Sequence, residues 1–265
     1  MHRRTLTLDA QKKNNRNIQL LIAYDGTDFS GWQRQDGDKT KQKTRTVQGE
    51  IERALEIIHK TPVALIGSGR TDSGVHARAQ CANFYTPITS MEAPRFVPAL
   101  NSILPRDIRI MEARESPEGF HSRFDARSRT YRYFFISHRP ALPMEKRYAL
   151  QLWRQPDLSL LNDYCRLLRG EFDCTIFAAA ADKSVSRRRY IYSAFFFPER
   201  DRIVFEIRAN AFLWKMVRSM AGTLLFYEEK KLNAEAFYQI ITSGKREMAG
   251  PTLPPEGLIL WNVDY

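Results

Sequence analysis

Cysteine is scarce in this chain of 265 residues, and its scarcity excludes several chemistries. Cys81, Cys165 and Cys174 form no CxxC pair, so the sequence offers neither a disulfide framework nor a cysteine-based zinc site. The five histidines are scattered without HxxxH or HExxH spacing, which argues against a metal enzyme. No apolar run approaches the roughly 20 residues that span a bilayer, and Met1–Lys13 lacks the apolar core of a signal peptide. The expectation is a soluble, cytoplasmic protein without a membrane partner. Internal repeats are absent, and so is the Gly-Lys-Ser/Thr of a nucleotide-triphosphate loop.

Positive charge is plentiful. Lysine and arginine number 41 against 30 acidic residues, a formal net charge of +11. Such a surplus attracts polyanions through phosphate contacts and counterion release. The basic residues gather at Arg3–Arg16, Lys39–Arg45, Arg123–Arg132 and Arg187–Arg189, with aromatic residues interleaved in the last two clusters. This distribution suits a surface for folded RNA. A plain solvated basic surface is the alternative on charge alone.

Periodicity divides the chain into mixed strands and helices. Residues 1–17 read as a flexible basic tail, and Ile18–Tyr24 as a strand ending at the Asp25-Gly26 turn. Thr46 can cap a helix with Val47, Ile51, Leu55 and Ile58 on one face. Strands are expected at Pro62–Ile66, Ala79–Tyr85 and Ile108–Ala113, with a short helix around Pro94–Ile103. Ser128–Ile136 alternates like a strand, and Asp157 can cap a helix carrying Leu158, Leu161, Cys165 and Leu168, with Gly170 as its stop. Arg189–Phe197 and Ile203–Ala209 read as adjacent strands. Helices at Ala211–Glu229 and Ala234–Ser243 and a strand at Leu258–Val263 complete the pattern. Phe134, Phe135 and Phe195–Phe197 are expected in the core. The order implies an α+β fold, not a doubly wound parallel sheet. Two halves are expected, 18–120 and 121–265.

A glycine-rich turn, Gly67-Ser68-Gly69-Arg70-Thr71-Asp72-Ser73-Gly74, follows the second strand. It fails the dinucleotide pattern because Asp72 stands where the third glycine belongs, and a carboxylate there would repel phosphate. Tyr24-Asp25-Gly26-Thr27 resembles a phosphohydrolase aspartate motif, but Ala23 occupies the nucleophile's position. What remains is Arg70-Thr71-Asp72 on a turn whose glycines permit close approach of a ligand. From these residues alone, a surface turn in which Asp72 bonds its own backbone is the favoured reading.

The longer string Gly69-Arg70-Thr71-Asp72-Ser73-Gly74-Val75-His76-Ala77 closely resembles the catalytic signature of the TruA-type tRNA pseudouridine synthases. Further similar motifs follow in order: Ser30-Gly31-Trp32-Gln33-Arg34-Gln35, Thr46-Val47-Gln48, Phe120-His121-Ser122-Arg123-Phe124-Asp125-Ala126 and Thr130-Tyr131-Arg132-Tyr133. Asn210-Ala211-Phe212-Leu213-Trp214-Lys215-Met216-Val217-Arg218 and Gly257-Leu258 resemble the family's C-terminal motifs. Alanine is more usual at Ser73 and histidine at Lys215.

The resemblance implies two related halves with antiparallel sheets and helices on one face, and an active cleft between them. It places the essential aspartate at Asp72, the active-site tyrosine at Tyr131 and the arginine that pairs with the aspartate at Arg218. Arg70 and Lys215, with Tyr131, become candidate substrate-binding residues; Arg70 could instead shape its turn. Ser219 and Gly222, small residues on the Arg218 side of its helix, would leave room for a partner. The implied reaction isomerises uridine to pseudouridine in the anticodon arm of tRNA, without a metal or small-molecule cofactor and by a homodimer. A non-catalytic RNA-binding module of the same fold is the alternative; replacement of Asp72 or Tyr131 would favour it, and both are present.

Overall fold

The computed structural model describes residues 15–34 and 44–265. The described chain forms two compact units, one running to Ala126 and taking in Tyr265, the other being Arg127–Asp264. Both are α+β, each built on a largely antiparallel sheet.

The first unit contains β1 (Arg16–Tyr24), α1 (Val47–His59), β2 (Ile66–Gly67), β3 (His76–Thr86), α2 (Phe96–Asn101) and β4 (Ile108–Ser116). β1 lies between β3 and β4, and β2 adds to β3. β1 begins earlier than Ile18 because Arg16 and Asn17 pair with Thr86 and Tyr85. The expected tail therefore loses these residues to the sheet, and its residues 1–14 lie outside the described ones.

Alternation along β1 sends Ile18, Leu20 and Ile22 into the core, where all three are fully buried. Val47, Ile51 and Leu55 of α1 are fully buried as well, as are Phe84, Phe96 and Leu100. Each such side chain contributes about 1.5–3 kcal/mol by leaving water. Thr46 caps α1 as expected, accepting from Gly49 N at 3.3 Å, and Lys60 ends it in the left-handed conformation, φ +59°.

The expected strand Pro62–Ile66 shrinks to Ile66–Gly67. Side chains of α1 explain the difference. Leu65 N donates to Glu52 Oε1 at 3.2 Å, and Gln48 Nε2 donates to Leu65 O at 2.9 Å. The backbone there is satisfied by a helix, so it needs no ladder partner.

The second unit contains β5 (Ser128–Ile136), β6 (Leu150–Gln151), α3 (Leu158–Leu167), β7 (Gly170–Asp173), β8 (Arg188–Glu199), β9 (Arg202–Ala209), α4 (Met216–Glu229), α5 (Ala234–Thr242) and β10 (Leu258–Asp264). The sheet order is β10-β5-β9-β8-β7, with β6 parallel to β5. Asp157 caps α3 by accepting from Ser159 N and Leu160 N. Leu161, Cys165 and Leu168 are buried as expected, and so are Met220, Leu224 and Phe237 of the following helices. The other sheet face carries a smaller cluster of Phe134, Ile136, Ala149 and Val204, covered in part by Trp261 and Phe197.

Two expectations are corrected here. The helix after β9 starts at Met216, not Ala211, because Lys215 sits at φ +60° and Trp214 N is drawn to Asp182 Oδ2 at 2.7 Å. Phe195 is 38% exposed although Phe196 is buried; alternation puts Phe195 and Phe197 on the face away from the helices, their rings 5.5 Å apart. All three cysteines are buried free thiols, and burial pushes Cys174 up to about 12, which suits inert packing residues. Among the described residues no helix is long and apolar enough to cross a membrane.

His59 gives the first unit a pH dependence. Its Nδ1 lies 2.8 Å from Leu55 O and its Nε2 2.8 Å from Thr86 Oγ1, and its ring stacks on Phe96. Burial lowers its pKa below the ordinary 6.5. The folded state then holds a proton less well than the unfolded chain, so this stability is present above pH 6.5 and is lost as pH falls through the depressed folded value. Denaturant titrations should show wild type losing more stability than His59→Gln between about pH 7.5 and pH 5. Equal losses would remove His59 as the source.

Candidate active site

The loop bearing Arg70 and Asp72 spans the gap between β2 and β3, and three other segments hold it. Trp32 N donates to Thr71 O at 3.2 Å, and Gly74 N donates to Phe29 O at 3.3 Å. Ser73 Oγ also donates to Phe29 O, at 3.1 Å. Val75 N closes the turn onto Asp72 O at 3.2 Å.

Glycine is required at the contact. Gly31 has φ +92°, and a Cβ there would stand 2.6 Å from Thr71 O. At Gly26 a Cβ would meet Val75 O at 2.0 Å. Both distances forbid any side chain unless backbone moves.

Beneath the loop lies a buried polar group. Tyr24 Oη is 2.8 Å from Thr71 Oγ1. Gln80 Nε2 donates to Gly69 O at 3.0 Å, while Gln80 Oε1 accepts from Ser68 Oγ and from Cys81 N. Burial raises the Tyr24 pKa, so its hydroxyl stays protonated and can donate. His76, at the start of β3, accepts from Gly26 N through Nδ1 at 3.1 Å and is buried, which gives it a structural contact.

The result is a hydrogen-bonded polar base under the turn. Thr71 is buried, Asp72 half-buried and Arg70 exposed. An ionisable carboxylate on such a turn can act as a nucleophile or a base. Among the described residues no group of three or more His, Cys, Asp or Glu could hold a metal ion.

Two other motifs of the first unit prove to be braces. Gln48 N donates to Trp32 O at 3.0 Å, and Gln48 Oε1 accepts from Arg34 N at 2.9 Å and from Gln33 Nε2. The Trp32-Gln33-Arg34 turn is thereby tied to α1. Ser122, in the Phe120–Ala126 motif, is fully buried and donates through N and Oγ to Asn83 Oδ1 of β3. Of the expected basic loop Lys39–Arg45, residues 39–43 lie outside the described ones. Arg45 is structural: it pairs with Asp107 at 2.7 and 2.9 Å and lies 4.1 Å above the Phe29 ring.

The remaining expected site residues belong to the second unit. Tyr131, near the middle of β5, is 9% exposed and meets Phe212 edge-on at 5.1 Å. Arg218 lies in the first turn of α4, with Nε donating to Leu253 O at 2.7 Å and Leu253 N returning a bond to Arg218 O at 3.3 Å. Tyr133 donates to Pro254 O, so Arg218 and Tyr133 hold consecutive carbonyls. The room expected beside Arg218 is filled: a Cβ on Gly222 would strike Pro251 O at 1.8 Å, and Arg246 reaches Ser219 Oγ at 3.0 Å. Lys215 is exposed, its ammonium 5.2 Å from the Trp214 ring. Arg132, expected in a phosphate-binding cluster, is spent on Glu206 at 2.6 Å and on the Trp261 ring at 4.2 Å.

The family described as tRNA pseudouridine synthase matches this chain over residues 20–125 and 164–265, and the chain belongs to that family. It is 52% identical to the tRNA pseudouridine synthase A of Treponema denticola over 96% of this chain and 94% of the relative. The protein of that name from Treponema pallidum is 49% identical over 89% and 84%, and that of Chlorobaculum tepidum 40% over 96% and 99%.

The backbone contact makes a graded prediction. Gly31→Ala combines an unfavourable φ with a backbone clash and should destabilise by ~2 kcal/mol or more while lowering activity. Ser73→Ala removes one part-buried side-chain hydrogen bond and should cost about 1 kcal/mol or less with activity retained. Thermal melting and turnover of both variants test this ranking, and equal effects would contradict it.

Proposed function

We propose that this protein isomerises uridine to pseudouridine in the 3′ part of the tRNA anticodon stem-loop, with Asp72 as the essential carboxylate. The observation that carries the reading is the Gly69–Ala77 string, set on a loop held from below by buried hydrogen bonds, in a chain of the tRNA pseudouridine synthase family.

The chemistry is self-contained. The N1–C1′ glycosidic bond breaks, the uracil turns, and C5 bonds to C1′. C5 then loses its hydrogen as a proton and N1 gains one, so the product is an isomer of the substrate. No oxidant, hydride or water is consumed. Asp72 serves as nucleophile or base at the sugar or the ring.

Tyr131 stacks on the displaced uracil in this reading, and its hydroxyl helps a proton transfer. Arg218 keeps the carboxylate ionised and oriented, because an adjacent opposite charge favours the charged form. Arg70 and Lys215, both exposed, contact phosphates beside the target. A uridine within a stem must be flipped out at a cost of about a few kcal/mol, which contacts between the basic surface and the RNA backbone offset. The protein works in the cytoplasm as a homodimer.

Tritium release from C5-labelled uridine in tRNA tests the assignment. Asp72→Asn keeps the size but loses the nucleophile and base, so release should stop while tRNA binding persists. Turnover within about tenfold of wild type, a barrier change of ~1.4 kcal/mol, would exclude Asp72 from the mechanism. Arg218→Lys keeps charge but not the planar fork and should be well below wild type while still folded. Normal activity of that variant would exclude the pairing role.

A further inference from the structure

Tyr24 is a buried tyrosine where the core offers an apolar alternative. It is 5% exposed, it ends a strand otherwise carrying Ile18, Leu20 and Ile22 inward, and phenylalanine would fill the same volume without a hydroxyl to satisfy. Its hydroxyl reaches Thr71 Oγ1 at 2.8 Å, and Thr71 is 6% exposed. Gln80, beneath the same loop, is fully buried, and its Nε2 donates to Gly69 O at 3.0 Å. All three groups point at one short stretch of backbone, the residues just before Asp72.

We propose that Tyr24, acting through Thr71 and supported by Gln80, is a positioning residue that fixes the Asp72 carboxylate for reaction. This rests on the assignment of Asp72 as the essential carboxylate. Thr71 is held twice, by Tyr24 at its side chain and by Trp32 N at its carbonyl. Gly69 O is held by Gln80 Nε2, and Asp72 O by Val75 N. The backbone on either side of Asp72 is therefore fixed. Buried hydrogen-bonded groups of this kind specify one arrangement where an apolar core tolerates several. Reaction rates are sensitive to displacements of about 1 Å, which can cost about a hundredfold.

The hydroxyl pair can be removed from either side. Tyr24→Phe and Thr71→Val keep the volume, and Thr71→Ser keeps the hydroxyl. Single-turnover rates on bound, unmodified tRNA should fall about 10- to 100-fold in Tyr24→Phe and in Thr71→Val. The tRNA dissociation constant should stay within about twofold, and Thr71→Ser should restore most of the rate. The double variant Tyr24→Phe/Thr71→Val should be no slower than the slower single variant, because both remove the same contact. A Tyr24→Phe rate within about twofold of wild type, or a loss that only follows the folded fraction, would overturn the proposal. If Tyr24→Phe does not fold, the Thr71→Val and Thr71→Ser pair decides the matter by the same rates. Asp72→Asn run beside them separates the two claims. An active Asp72→Asn overturns the site assignment itself, whereas an inactive one beside a fully active Tyr24→Phe overturns only the positioning role.

Discussion

Two stretches of backbone meet without side chains between them, and the candidate site depends on that meeting. Residues 26–32 press against residues 71–75 so closely that a Cβ at Gly26 or Gly31 would fall 2.0 or 2.6 Å from a carbonyl oxygen. The approach lets Trp32 N reach Thr71 O and lets Phe29 O collect both Gly74 N and the Ser73 hydroxyl. A loop that would otherwise sample many conformations is thereby reduced to one. The Gly69–Ala77 string and residues Ser30–Arg34 are in this sense two halves of one structure, separated by some forty residues of chain.

Buried polar side chains then tie that structure to the regular elements. Gln48 is the hub on the helix side: it holds Trp32 O, Arg34 N and Leu65 O, and contacts Glu52. Gln80 is the hub on the strand side, holding Ser68 and Gly69. In the second unit Arg218 and Tyr133 hold Leu253 O and Pro254 O, and Gly222 admits the Pro251 carbonyl against α4. Each hub replaces a turn's bonds to water with bonds to fixed partners, which leaves few buried groups unsatisfied. The short runs that resemble a family are mostly these anchor points, with only a few residues left exposed to meet a substrate.

Much of this was legible in the sequence where short-range physics decides the outcome. The Thr46 and Asp157 caps, the bounds of β5 and the strand at Ile18–Tyr24 follow from residue type and period alone. Asp72 stood out through its motif. Tyr24 and Gln80 did not, because nothing local marks a strand tyrosine or glutamine as a partner of a distant loop. The misreadings share that cause. Pro62–Leu65 lost its ladder to side chains of α1, and Ala211–Lys215 lost its helix to Asp182 and a left-handed lysine. Arg45 and Arg132 read as phosphate ligands until their carboxylates, Asp107 and Glu206, came from elsewhere in the chain. Charge density announces an RNA partner but does not say which cations are already spent.

The central claim is that the Asp72 loop carries out a cofactor-free isomerisation at defined uridines of tRNA. Incubation of the purified protein with an unmodified tRNA transcript, in buffer containing chelator and no added cofactor, followed by pseudouridine mapping at single-nucleotide resolution, tests it most directly. The account predicts pseudouridine in the 3′ part of the anticodon stem-loop and none elsewhere. A transcript bound but unmodified, or modified only outside the anticodon arm, would contradict it.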